Sequence, residues 1–139
     1  MKNIWTVIII FAIGFLMVVG CSDPKARKTE AAKPDEKPVA VSADVLTADY
    51  EENELAADGK YKDKMLEVRG KISNIAETFG TISVQMEGDK IMPNVMCTFN
   101  DDQKDAVAKL KKGQTATLIG RCEGSTGGIY VGLNACRVQ

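Results

Sequence analysis

Histidine is absent from all 139 residues, and with it go the commonest general base and the commonest metal ligand. That weighs against most hydrolytic mechanisms, and no GxSxG stretch supplies an alternative nucleophile motif. Aromatic residues make up only 6% of the chain. Phe79, Tyr61 and Tyr130 are the ones expected to face outward, few for stacking the bases of a single strand. Cysteine is sparse as well: Cys21, Cys97, Cys122 and Cys136 include no CxxC pair, so neither a zinc site nor a thioredoxin-type centre is signalled. The longest apolar stretch, Ile4 to Val19, falls short of the roughly 20 residues that cross a hydrocarbon core.

What that stretch does contain is informative. Lys2 precedes it, and Val18-Val19-Gly20-Cys21 closes it before a polar segment. A cationic start, an apolar run and a small residue before cysteine form the pattern of a bacterial lipoprotein signal. Residues 1–20 are therefore expected to be the signal peptide and Cys21 the acylated N-terminus of the mature chain, anchored by lipid and not threaded through the membrane. Ser22 in place of Asp after that cysteine favours the outer membrane if the envelope is Gram-negative. Residues 21–40, with Pro24, Pro34 and Pro38 among Lys, Asp, Glu and Ala, bury too little to repay ordering and are expected to be a flexible tether.

About 100 residues remain, enough for one domain with a modest core. From Val39 onward 12 Lys and Arg face 15 Asp and Glu, a balance that disfavours a broad grip on phosphate backbones. Leu46, Tyr50 and Ala57 recur at helical spacing over Ala43 to Asp58, with Gly59 as the stop. Leu66, Val68, Gly70 and Ile72 then alternate with Glu67, Arg69 and Lys71 to predict a half-buried strand, where Gly70 permits a bend or a close approach. Further strands are expected over Thr81 to Met86 and Val95 to Phe99, the latter introduced by Pro93. Asn100 as N-cap, Gln103 as its capping-box partner, early Asp101 and Asp102, late Lys109, Lys111 and Lys112, and Gly113 frame a second helix with the stripe Ala106, Val107 and Leu110.

Thr115 to Cys122 and Ile129 to Leu133, running on toward Val138, predict two final strands separated by a mobile loop over residues 123–128. Three meandering strands, a helix and a hairpin is the order of a mainly β, five-stranded OB-fold (Greek-key) barrel over residues 41–139, with one helix before it and one between strands three and four. An open antiparallel sheet covered by a helix fits the same pattern. Because Cys122 and Cys136 belong to the last strand pair, they are the expected disulfide outside the cytosol; three buried thiols serving as small hydrophobes is the competing expectation.

Asp49-Tyr50 through Asn53, Val68-Arg69-Gly70-Lys71-Ile72, Val95-Met96-Cys97-Thr98-Phe99, Leu110-Lys111-Lys112-Gly113-Gln114, Gly120-Arg121-Cys122 and Leu133-Asn134-Ala135-Cys136 together resemble the tRNA_anti-like family of bacterial OB-fold lipoproteins. The resemblance implies the OB fold and a nucleic-acid-binding ancestry, and it names no catalytic group.

Such barrels bind through strands two and three and the neighbouring loops. Here that face would offer Thr81, Ser83, Gln85, Met96 and Thr98, with Phe79 and Tyr130 at its edges and a basic strip of Arg69, Lys71 and Arg121 on neighbouring strands. The carboxylates Asp49, Glu51, Glu52 and Glu54 fit a solvated helix face, and Asp101, Asp102 and Asp105 lack the glycine and terminal Glu of a calcium loop. The expectation is a noncatalytic envelope binding module without cofactor or metal, whose partner is a protein, a glycan or a small ligand. Single-stranded nucleic acid is the alternative.

Overall fold

The alternation that begins at Leu66 opens a strand twice as long as its first apolar stretch implies. In the computed structural model, which describes residues 36–90 and 94–139, strand β2 runs Met65–Thr78. It is preceded by a short strand β1, Val39–Ser42, and two helices, α1 at Ala43–Glu52 and α2 at Glu54–Tyr61. After it come β3 at Thr81–Met86, β4 at Asn94–Phe99, a 3-10 turn at Asp101–Gln103, the one-turn helix α3 at Lys104–Val107, β5 at Thr115–Thr126 and β6 at Tyr130–Val138. The expected signal peptide, Cys21, Pro93 and the tether up to residue 35 lie outside the described residues.

β2 has to be long because it serves two neighbours. Its first half pairs antiparallel with β5, from Met65 opposite Arg121 to Lys71 opposite Thr115. Beyond a bulge between Ile72 and Asn74 its second half pairs with β3, ending at Thr78 opposite Thr81. The sheet continues through β4, β6 and β5, and the β2–β5 pairing closes a ring of five strands. Within it β4 and β6 run parallel. Closure leaves few open edges, and the bulge supplies the local twist that lets one strand turn between two partners. The open antiparallel sheet is thereby ruled out.

The inward phases expected from alternation fill the ring. Leu66, Val68, Ile72, Val84, Met86, Val95, Cys97, Leu118, Val131 and Leu133 are all buried. Five local readings are corrected. The stretch Ala43 to Asp58 is two helices and not one: Asn53 leaves the helical region at φ −158° and its side chain accepts from the Ala56 amide at 3.1 Å, capping α2. Gly59 does not end a helix, since α2 continues to Tyr61.

The expected helix after Asn100 is reduced to a 3-10 turn and one α-turn; Asn100 makes no side-chain cap and Gln103 donates to Asp102 instead. Only Val107 of its stripe is fully buried. That small plug is supplemented by α1, which packs against β1, β2, β4 and β6. The segment 123–128, expected as a mobile loop, is strand up to Thr126, leaving a tight turn at Gly127 and Gly128, both at positive φ. β1 likewise begins at Val39, inside the stretch expected to be tether, and pairs in parallel with Leu66 to Arg69.

The helices are pinned by two polar clusters. Tyr61 donates to Asp49 at 2.6 Å, and Lys60 reaches the same carboxylate oxygen at 2.7 Å. The hydrogen bonds from Lys60 and then from Tyr61 hold the Asp49 carboxyl below its ordinary pKa. Tyr50 donates to Asp58 at 3.0 Å and lies 3.6 Å from Cys122 Sγ. Burial first, then the contacts with Cys122 and Asp58, push the Tyr50 phenol far above its usual value.

Candidate ligand-binding face

The outward phase of β3 and β4 is a polar quilt. Ser83 lies opposite Thr98 and Gln85 opposite Met96, while β2 extends the same surface with Asn74 opposite Gln85 and Ala76 opposite Ser83. On the other side β6 adds Tyr130 opposite Asn94 and Gly132 opposite Met96. Thr81 is exposed, and Ser83, Gln85, Met96, Thr98 and Tyr130 are half-buried. The structure therefore brings Thr81, Ser83, Gln85, Met96, Thr98 and Tyr130 onto one continuous surface.

Phe79 stands at its edge, fully exposed at the tip of the β2–β3 hairpin. It takes φ 51° and Gly80 takes φ 78°, the pair of positive angles that a two-residue hairpin turn matched to strand twist requires. Gly80 adopts that conformation freely, whereas a bulky side chain there is strained. Below the hairpin, Ile75, Ile82, Val107 and Ala108 line a shallow depression of about 180 Å³.

The basic strip does not join this face. Arg69 and Lys71 lie on the first half of β2, opposite Thr117 and Thr115 of β5, on the far side of the bulge. Lys71 is paired with Glu87 at 3.3 Å. Arg121 donates to the Asp63 carbonyl at 2.6 Å and lies 3.7 Å from Glu36, so it ties the β2 entrance to the incoming chain. A carboxylate also borders the quilt. Glu123 accepts from Asn134 Nδ2 at 2.7 Å, and a Cβ built on Gly132 would lie 3.5 Å from Glu123 Oε2 and 3.7 Å from the Tyr130 ring. Neither Glu123 nor Asn134 was singled out by sequence reasoning. Both sit next to strand irregularities, at Cys122/Gly124 in β5 and before Ala135 in β6, that shift side-chain phase.

The cysteines are arranged differently from the expected bridge. Cys97, Cys122 and Cys136 are free and buried. Cys122 lies in register with Leu133 and turns its sulfur to Tyr50, while the Cys136 sulfur lies against Gly120 of β5. Burial raises the Cys122 thiol, and the contact with Cys97, reinforced by burial, raises Cys136 well above the normal range. Thiols held neutral in this way are poor nucleophiles. Among the described residues, no group of Cys, Asp and Glu is arranged to hold a metal ion.

Similar chains occur among solved structures. A Klebsiella pneumoniae protein described as a "putative nucleic acid-binding lipoprotein" is 21% identical, with a TM-score of 0.61 over 72% of this chain and 92% of that one. An OBody bound to hen egg-white lysozyme is 12% identical over 57% of this chain and 84% of its own, at a TM-score of 0.45. A "putative aspartyl-tRNA synthetase" from Leishmania major is 8% identical over 78% of this chain and 22% of that one, at a TM-score of 0.47. No curated protein matches the sequence. The family model named tRNA_anti-like matches residues 1–137, so this chain belongs to the tRNA_anti-like family.

Proposed function

We propose that this protein is a lipid-anchored binding module of the bacterial envelope: an OB barrel, held to the membrane outside the cytosol through Cys21, that contacts an uncharged or cationic partner through the quilt on β3, β4 and β6. It performs no chemistry of its own. The observation that carries this reading is the charge of the face, where the uncharged Ser83, Thr98, Gln85 and Met96 lie in register, Glu123 stands at the border, and the nearby Lys90 and Lys104 are paired with Glu51 and Glu77. Hydrogen-bonding side chains beside an apolar Met96 and an exposed Phe79 suit a peptide or glycan surface. The lipid anchor rests on the sequence up to Cys21 and on the lipoprotein description of the Klebsiella relative.

The second reading, binding of single-stranded nucleic acid, is favoured by that same relative's description and by the family name. Phosphate binding needs a cationic track beside stacking aromatics. Lys71 and Arg121 are instead engaged with Glu87, Asp63 and Glu36, away from the quilt. Titrating the detergent-solubilised, full-length protein with single-stranded oligonucleotides at several salt concentrations separates the two readings. The binding-module reading expects no saturable binding at physiological salt. Binding that weakens steeply as salt rises and disappears with Phe79→Ala would establish the second reading in its place.

A further inference from the structure

Glu123 owes its place beside the quilt to a bulge in β5. Cys122 pairs with Leu133, but the next pair is Gly124 opposite Gly132, so Glu123 is the extra residue between them. Gly124 takes φ 96°, which a glycine adopts without strain. Bulges re-aim a side chain, and here the aim is across β6. Val131 and Leu133 face the core, which leaves Tyr130, Gly132 and Asn134 on the outer phase. The Glu123 carboxylate lies along that phase. Its Oε1 accepts from Asn134 Nδ2 at 2.7 Å. Its Oε2 stands toward Gly132, where the position of an added Cβ lies 3.5 Å from that oxygen and 3.7 Å from Tyr130 Cε2. The missing side chain at Gly132 thus lets the carboxylate and the ring approach each other over the strand.

The chemistry of this arrangement is that of a receptor for one positive charge. Glu51, Glu77 and Glu87 each hold a lysine, whereas among the described residues no lysine or arginine pairs with the exposed Glu123. The hydrogen bond from Asn134 fixes the carboxylate before a partner arrives, so binding costs little side-chain freedom. A cation that meets a carboxylate and an aromatic ring together gains from both. Met96, opposite Gly132 on β4, adds apolar surface that suits the methylene stem of a long cationic side chain. The excess of carboxylates over cations from Val39 onward favours the approach of such a partner.

We propose that Glu123, Asn134 and Tyr130 form a subsite for one side-chain cation, the guanidinium or ammonium group of a basic protein segment laid across the quilt. The proposal rests on the binding-module reading and narrows it: of a peptide and a glycan, it selects a peptide that carries arginine or lysine. The cation meets Glu123 and Tyr130 while the rest of the segment meets Ser83, Gln85 and Thr98, which lie on the neighbouring strands.

The test titrates isotope-labelled, detergent-solubilised, full-length protein with an acetylated and amidated pentapeptide whose central arginine is flanked by serines and leucines. The same peptide carrying citrulline, the neutral isostere of arginine, is titrated in parallel. Amide resonances of Tyr130, Gly132 and Asn134 report the subsite, and those of Ser83, Gln85 and Thr98 report the quilt. The arginine peptide is expected to move both sets and to bind about tenfold more tightly than the citrulline peptide. Glu123→Gln should erase that preference, and Tyr130→Leu should reduce it about threefold with the charge intact. Glu52→Gln, which removes an exposed carboxylate from α1, should leave it unchanged. Equal binding of the two peptides, or a preference that survives Glu123→Gln or falls as far with Glu52→Gln, would overturn the subsite; quilt resonances that still move would leave the binding-module reading standing without it. Methylguanidinium alone binding as tightly as the arginine peptide would overturn the protein segment as the source of the cation. No movement of either set would overturn the proposal, while the parent reading is judged by the oligonucleotide titration above.

Discussion

Replacing Gly70 with alanine is the sharpest probe of how the helices seat on the ring. Gly70 lies mid-strand in β2, opposite Ala116 of β5. An added Cβ would come within 2.7 Å of Ala43 Cβ, 3.2 Å of Met86 Sδ and 3.3 Å of Met86 Cβ. Ordinary carbon contacts lie at about 3.5–4.0 Å, so the first overlap approaches a full ångström. Met86 has a flexible side chain, but Ala43 is the first residue of α1 and completely buried, so it moves only if the helix does. Overpacking of this kind costs about 1–3 kcal/mol, and the lost freedom of the unfolded chain returns about 0.4–1 kcal/mol. A net loss of about 1–2 kcal/mol follows, which for a domain of this size lowers the melting temperature by roughly 5–15 °C.

The measurement is a thermal melt followed by circular dichroism on wild type, Gly70→Ala, Ala43→Gly and the double variant. Ala43→Gly weakens α1 by itself, at about 1 kcal/mol or less near a helix start. In the double variant the removed methyl makes room for the added one, so the two changes should cost about 1 kcal/mol less together than the sum of the singles. Additivity within about 0.5 kcal/mol, or an unchanged melting temperature for Gly70→Ala, would show that the contact does not position α1.

Gly59→Ala should do the opposite of Gly70→Ala, raising stability by about 0.5–1 kcal/mol in the same melts, because α2 runs through it and nothing lies within 4 Å of the new methyl. Phe79→Asn should also stabilise, by about 1 kcal/mol, since Asn tolerates the positive φ that strains a bulky residue; an unchanged or lowered melting temperature would count against strain at the tip. Asp49→Asn bears on pH. The wild-type carboxyl titrates below its unfolded value, so its contribution is present above the ordinary carboxylate pKa of about 3.9 and is lost as pH falls through the lower folded value. Urea midpoints should therefore separate wild type from Asp49→Asn at neutral pH and converge under strong acid, and a constant gap across pH would contradict the Lys60 and Tyr61 contacts as its source.

Strand phases were legible from residue order because alternation is a local property: Leu66, Val68 and Ile72, then Ile82, Val84 and Met86, face inward as their spacing requires. Gly70 was likewise readable as a place of close approach, although not as the seat of Ala43. The polar identity of the β3–β4 face followed from the same alternation. What residue order could not supply was anything set by ring closure. Closure divides β2 between β5 and β3 and so separates Arg69 and Lys71 from the quilt; it also draws Glu123 and Asn134 to its border. The phase shift at Ala135 is another product of pairing, since alternation assigns Cys136 to the outer face and the register step between β4 and β6 turns it inward. The helix after Asn100 failed for a related reason: its capping residues are sound, but tertiary packing uses only Val107 and half of Leu110, too little apolar contact to hold a longer helix. Sequence alone determined the period and polarity of each element, which depend on neighbouring residues. The tertiary structure decided which charged and polar groups meet, because those meetings depend on bulges and on a closed ring that joins residues far apart in the chain.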